Sequence, residues 1–295
     1  MPITNKSLSP IQPRYITLSV LIVSSLMLWW LPLRSTLDLA LHNDAYTHLL
    51  LVPPLSLCLI YLQRKSKAVD MGRYDFGAGG MVLVGAISLR LLMWTPRTNS
   101  LNWVSLQVLT LIVFWFGSVL VCFGFTAFRR FLFPLCFLLL FVPLPDGVVA
   151  WLTEGLQTQS AVATQLLFRA ARVPVTRDGV MLSIPKIDIE VARECSSIRS
   201  STMLVVATLV LAHLFLRSWW RQTFLVLLSI PLSVLKNAIR IFTIVELGTR
   251  VDPSYLNGRL HHNGGPVFLA VALVIDVLIL SVLRHGDRSQ VGELV

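Results

Sequence analysis

The chain has 295 residues, of which 55% are hydrophobic and only 14% charged, with a formal net charge of +10. Globular domains carry about 25% charged residues, so a water-soluble fold is excluded and the chain reads as an integral membrane protein. The positive charge points to no nucleic acid partner, because Lys and Arg are scattered through the loops between apolar runs and not gathered on one face.

The sequence predicts an all-α polytopic membrane protein, a single integral domain over 1–295. Apolar runs able to cross a ~30 Å hydrocarbon core as helices fall at about Tyr15 to Leu33, Tyr46 to Leu62, Gly77 to Trp94, Leu101 to Phe123, Phe131 to Pro143, Ser201 to Leu216, Thr223 to Leu247 and Pro266 to Leu283. That gives about eight transmembrane helices. The fifth run is short, so its helix begins near Arg129 or the bilayer thins around it. No small-residue cleavage site follows Leu33, and the first run is expected to stay as a helix.

An N-in, C-in arrangement puts Lys6, Arg14, Arg64, Lys65, Lys67, Arg73, Arg129, Arg130, Arg217, Arg221, Arg284 and Arg288 on the cytoplasmic side and, with the long outer segment left out of the count, only Arg34, Arg97, Arg250 and Arg259 in the short outer loops. This is the asymmetry the positive-inside rule requires. The lipid bilayer is then the first partner of the chain.

The longest stretch without a clear span, about 144–200, is expected to be an extracytoplasmic segment. From Trp151 to Phe168, apolar residues at helical spacing with Gln157, Gln159, Thr164 and Gln165 between them predict an interfacial helix. From Val173 to Val191, alternation around Asp178-Gly179 and Pro185-Lys186 predicts a β-hairpin or meander, with Val180, Leu182 and Ile184 on one face and Ile187, Ile189 and Val191 likewise. This small sheet leads the chain to Cys195.

Cys58, Cys122 and Cys136 lie inside apolar runs, where a thiol behaves as a small hydrophobe. Cys195 differs. It stands in Glu194-Cys195-Ser-Ser-Ile-Arg199, at the expected start of a helix, where unpaired amides and the dipole favour a thiolate. Arg199, four residues on, adds positive charge on the same face. A packing cysteine at the membrane interface is the alternative.

Lys236, Asn237 and Arg240 fall within the seventh run, although each ionisable residue at membrane depth costs at least ~2.5 kcal/mol. Arg240 is expected roughly 10 Å below the outer end of its helix, near enough for its guanidinium to reach the surface. The alternative is an ion pair with a carboxylate such as Glu246. The last outer loop ends in His261-His262-Asn263-Gly264-Gly265. Histidine carries protons near neutral pH, and either histidine could do so here. A metal site is not expected, since one cysteine without a carboxylate cluster supplies too few ligands; no cofactor is expected either.

These motifs together resemble the exosortase and archaeosortase family of membrane cysteine transpeptidases. Tyr46-Thr47-His48, Phe133 to Pro145, Gln157 to Ala161, Asp178-Gly179 and Ile184-Pro185 are similar to family blocks. Most specific are Glu194 to Arg199, Asn237-Ala-Ile-Arg240, and His261 four residues before Gly265 and seven before Phe268.

The resemblance implies Cys195 as nucleophile, Arg240 as oxyanion or substrate stabiliser, and His261 as acid and base, with His262 second; Lys236 has no assigned role. It implies substrate proteins with a C-terminal signal, made of a Pro-Glu-Pro-like motif, a transmembrane helix and a basic tail, which are released and joined to an acceptor such as an exopolysaccharide or a lipid. It also implies a bacterial inner membrane location with the site facing the periplasm. Two other classes fit the residues alone: a transporter or channel with Lys236, Asn237 and Arg240 along an anion path, and a non-catalytic subunit of a polysaccharide export system.

Overall fold

A computed structural model describes residues 12–66, 74–93, 100–185, 187–191, 198–254 and 264–292. They belong to two compact units, Met1–Asp146 and Gly147–Val295.

The first unit opens with α1 (Gln12–Leu28) and α2 (Trp30–His42), which meet at 74°. The expected single helix over the first apolar run is therefore broken. Pro32 explains the break: it has no N–H for the carbonyl four residues back, that of Leu28. The Arg90 guanidinium takes over this acceptor, its Nη2 donating to Leu28 O at 3.1 Å. Trp29, at the corner, is fully buried; its indole N–H donates to Thr110 Oγ1 at 3.0 Å and its ring lies 5.4 Å from that of Phe114.

A 3₁₀ turn (Asp44–Leu50) leads into α3 (Val52–Ser66), and the two together make the second apolar span, Asp44–Lys65. α4 (Phe76–Leu92) packs on α5 (Leu101–Arg130), which is interrupted at Gly124. The α4–α5 approach depends on Gly79, where a Cβ would come within 2.7 Å of the Val121 backbone nitrogen. The fifth run is as short as expected: α6 (Leu132–Phe137) and a 3₁₀ turn (Leu138–Phe141).

The second unit begins with α7 (Asp146–Ala170). Its buried face is Gln157, Ser160, Ala161, Thr164 and Phe168, while Trp151 and Leu166 point outward. The helix is thus inside out relative to one on a soluble protein, with hydrogen-bonding groups inward and apolar ones outward. The strands β1 (Thr176–Asp178), β2 (Met181–Ile184) and β3 (Ile187–Glu190) form an antiparallel meander, three strands where a hairpin needs two.

The alternation read from the sequence holds in that meander. Leu182 lies opposite Ile189 and Ile184 opposite Ile187, so both apolar rows face the same way. They pack on Ala161 and Phe168 of α7 and on Ile241 and Val245 further along the chain. Gly179, at φ +58°, supplies the left-handed turn between β1 and β2 that a side chain would strain.

α8 (Ile198–Phe215), α9 (Trp219–Arg250) and α10 (Gly265–Gly292) pack against one another. α8 and α10 are tied at mid-length by Thr208, whose Oγ1 lies 2.9 Å from Asp276 Oδ2, both side chains being buried.

Among the described residues, five helices are long and apolar enough to cross a membrane. The count becomes seven if α1 with α2, and 132–141 with α7, are each one bent span. The protein is therefore a mostly helical membrane protein with five to seven candidate spans and a small three-stranded sheet, where the sequence alone predicts eight spans.

Candidate functional site

Along α9, the residues Leu225, Ser229, Leu232, Ser233, Lys236, Asn237, Arg240, Ile241, Ile244, Val245 and Gly248 form one buried stripe at helical spacing. The three polar residues singled out in the seventh run all lie on it, and Arg240 is only 8% exposed. Burying cations is costly unless they are hydrogen-bonded, so their surroundings bear directly on what they do.

Lys236 Nζ donates to Ser200 Oγ, in the first turn of α8. The role left open for Lys236 by the sequence thus has a structural answer: it ties the start of α8 to the middle of α9. Beyond Lys236, α9 runs on to Arg250 for about 21 Å at 1.5 Å rise per residue. The meander and α7 pack on this extension, through Ile241 and Val245. Arg240, one turn past Lys236, therefore stands where the packing of α9 changes from helices α8 and α10 to the meander.

The start of α10 reaches the same level. Phe268, in its first turn, shares a small apolar hollow of about 30 Å³ with Leu232, Lys236 and Ile239 of α9. Such a space holds about one water molecule, so the aliphatic stem of Lys236 is packed rather than solvated.

A second buried polar contact lies at the end of the meander. Gln157 Nε2, on α7, donates to the carbonyl of Val191, the last described residue before 192–197. The chain is thus held by Gln157 where it enters 192–197 and by Lys236, through Ser200, just after it leaves.

Cys195, His261 and His262 lie outside the described residues. Of the sequence candidates, the structure describes Arg240. Glu246, the carboxylate considered as its partner, has Oε2 2.6 Å from Nε of Arg250. Neither Ser200 nor Gln157 is marked for these roles by the sequence, though both are hydrogen-bonding side chains at places where a buried helix needs a partner. Among the described residues no group of three or more His, Cys, Asp or Glu side chains is placed to hold a metal ion.

The family model described as transmembrane exosortase matches residues 29–278. No curated protein and no solved structure matches.

Proposed function

Because the chain belongs to the transmembrane exosortase family, we propose that it is a membrane cysteine transpeptidase that removes a C-terminal sorting signal from surface-bound proteins, with Cys195, Arg240 and His261 as its working residues. The observation that carries this reading is the convergence on α9. The first turn of α8, five residues after Cys195, and the first turn of α10, seven residues after His261, both pack at Lys236, one turn from the buried Arg240.

In the proposed reaction the Cys195 thiolate adds to a peptide carbonyl next to the substrate's transmembrane helix. The carbonyl oxygen becomes an oxyanion, and the Arg240 guanidinium offers it paired N–H donors in a site shielded from water. The intermediate collapses by breaking the C–N bond; the leaving amine takes a proton from His261, and a thioester to Cys195 remains. An acceptor amine or hydroxyl then gives a proton to His261 and attacks the thioester, whose C–S bond breaks to free the thiolate. His262 is the second choice for the proton carrier.

Substrates bearing a Pro-Glu-Pro-like motif, one apolar helix and a basic tail belong to this proposal, as do an exopolysaccharide or lipid acceptor and a periplasmic orientation. The test is co-expression with a tagged candidate substrate and mass measurement of its new C-terminus. Wild-type protein yields a shortened product, and Cys195→Ala yields the full-length substrate while remaining in the membrane fraction. Normal processing by Cys195→Ala rules the proposal out.

A further inference from the structure

At the ends of α8 and α10 farthest from Lys236, Leu211 and Phe215 of α8 face Leu280, Ser281, Arg284 and His285 of α10 across a groove of about 380 Å³. The spacing on each helix, four residues on α8 and three or four on α10, makes the groove run along the helix axes. Its walls are apolar over most of their length, and its charged residues sit together at one mouth, where the apolar window of α10 ends at Gly286.

The mouth is strongly positive. The Arg284 guanidinium carbon lies 5.5 Å from the centre of the Phe215 ring, which holds the charge over the opening. Arg221, at the start of α9, donates from Nη1 to Leu283 O at 3.2 Å and lies against Gly286, bringing a second guanidinium to the same turn of α10. The sequence near this mouth carries Arg217, Arg221, Arg284 and Arg288 against Asp287, and the chain has no acidic residue from Cys195 through Val245.

A slot that is apolar along its length and cationic at one end, opening where a helix leaves the hydrocarbon, matches a molecule with an acyl chain and an anionic headgroup. We propose that this groove is a binding site for one anionic glycerophospholipid. Its acyl chain lies between α8 and α10, and its phosphate is held by Arg284 and His285 with Arg221 behind them. Basic pockets between transmembrane helices select anionic lipids in this way, at about 1 kcal/mol per Arg or Lys near the surface. The site is at the opposite end of α8 and α10 from Arg240 and does not depend on the transpeptidase chemistry.

The full chain is purified in a neutral detergent, incubated with equal amounts of phosphatidylglycerol and phosphatidylcholine, and separated by gel filtration. Retained lipid is then counted per protein by native mass spectrometry. Wild-type protein keeps phosphatidylglycerol in preference to phosphatidylcholine. Arg284→Gln lowers that preference about fivefold, the equivalent of one lost cation, and Ser281→Trp, which fills the groove with every charge in place, lowers retention at least as far.

Both substitutions are at exposed positions, and an unchanged elution volume and helical circular dichroism show that the variants fold. Excess inorganic phosphate leaves the lipid in place. Equal retention of the two lipids by wild type overturns the proposal, as does wild-type retention by either variant or release of the lipid by phosphate alone.

Discussion

Lys236 and Ser200, thirty-six positions apart in sequence, share a buried hydrogen bond between the middle of α9 and the first turn of α8. The bond fixes the register of the two helices at the level where the chain emerges from 192–197. A charged donor here does more than a neutral one, since removing one partner of a buried charge-assisted bond costs about 1.5–3 kcal/mol.

Replacing Lys236 by Met keeps the aliphatic stem and removes the donor. Substrate processing by Lys236→Met is expected to fall roughly ten- to a hundredfold, the rate equivalent of that energy if it acts on the site geometry. Ser200→Ala should act in the same direction, and the double variant should be no worse than Lys236→Met alone. Additive losses in a double-mutant cycle scored by product mass contradict this coupling.

Gln157→Leu is nearly isosteric but leaves the buried Val191 carbonyl without its donor, at about 1–3 kcal/mol. The expected outcome is a lower melting temperature in detergent together with reduced processing. Gln157→Glu, which keeps the length and loses the donor, should resemble Leu. An unchanged melting temperature in both variants shows that the contact contributes nothing.

Arg240→Lys retains the positive charge and loses the planar fork. If the guanidinium holds a developing oxyanion through paired donors, processing falls by two to three orders of magnitude or so, as for loss of one oxyanion donor. Substrate retention in a pull-down with Cys195→Ala protein should change much less. A processing rate near wild type excludes that role for Arg240.

Arg90→Met removes the donor that replaces the amide missing at Pro32, and is expected to destabilise the first unit by about 1–3 kcal/mol. In a Pro32→Ala background the loss should shrink, because an amide at position 32 competes for the Leu28 carbonyl. Thermal denaturation of the four proteins gives the answer; equal losses in both backgrounds contradict the pairing.

Much of the architecture was legible from composition and periodicity. The meander was visible in the alternation of Val180, Leu182 and Ile184, because a strand half buried on one face can hardly be written otherwise. Lys236, Asn237 and Arg240 announced themselves by their cost within an apolar run. The break at Trp29 was missed although Pro32 marks it, since hydropathy averages over the residues where a helix turns. The inward polarity of α7 was missed for a different reason. Periodicity identifies two faces of a helix, but which of them points inward depends on whether water or lipid lies outside. Pairing between side chains distant in sequence, as in Lys236 with Ser200, has no local signal at all.

The inverted character of α7 bears on how the chain is made. Gln157, Ser160 and Thr164 emerge from the ribosome well before Val191, Ile241 and Val245, the groups that cover or bond this face in the finished unit. Until Val191 has followed, the Gln157 amide lacks its acceptor, and until α9 has been synthesised the face of α7 that carries Ala161 and Phe168 stays uncovered. A nascent chain halted before α9 would therefore offer a membrane quality-control protease a clear mark of incompleteness, and the second unit can be assembled only after its last long helices have been delivered to the bilayer.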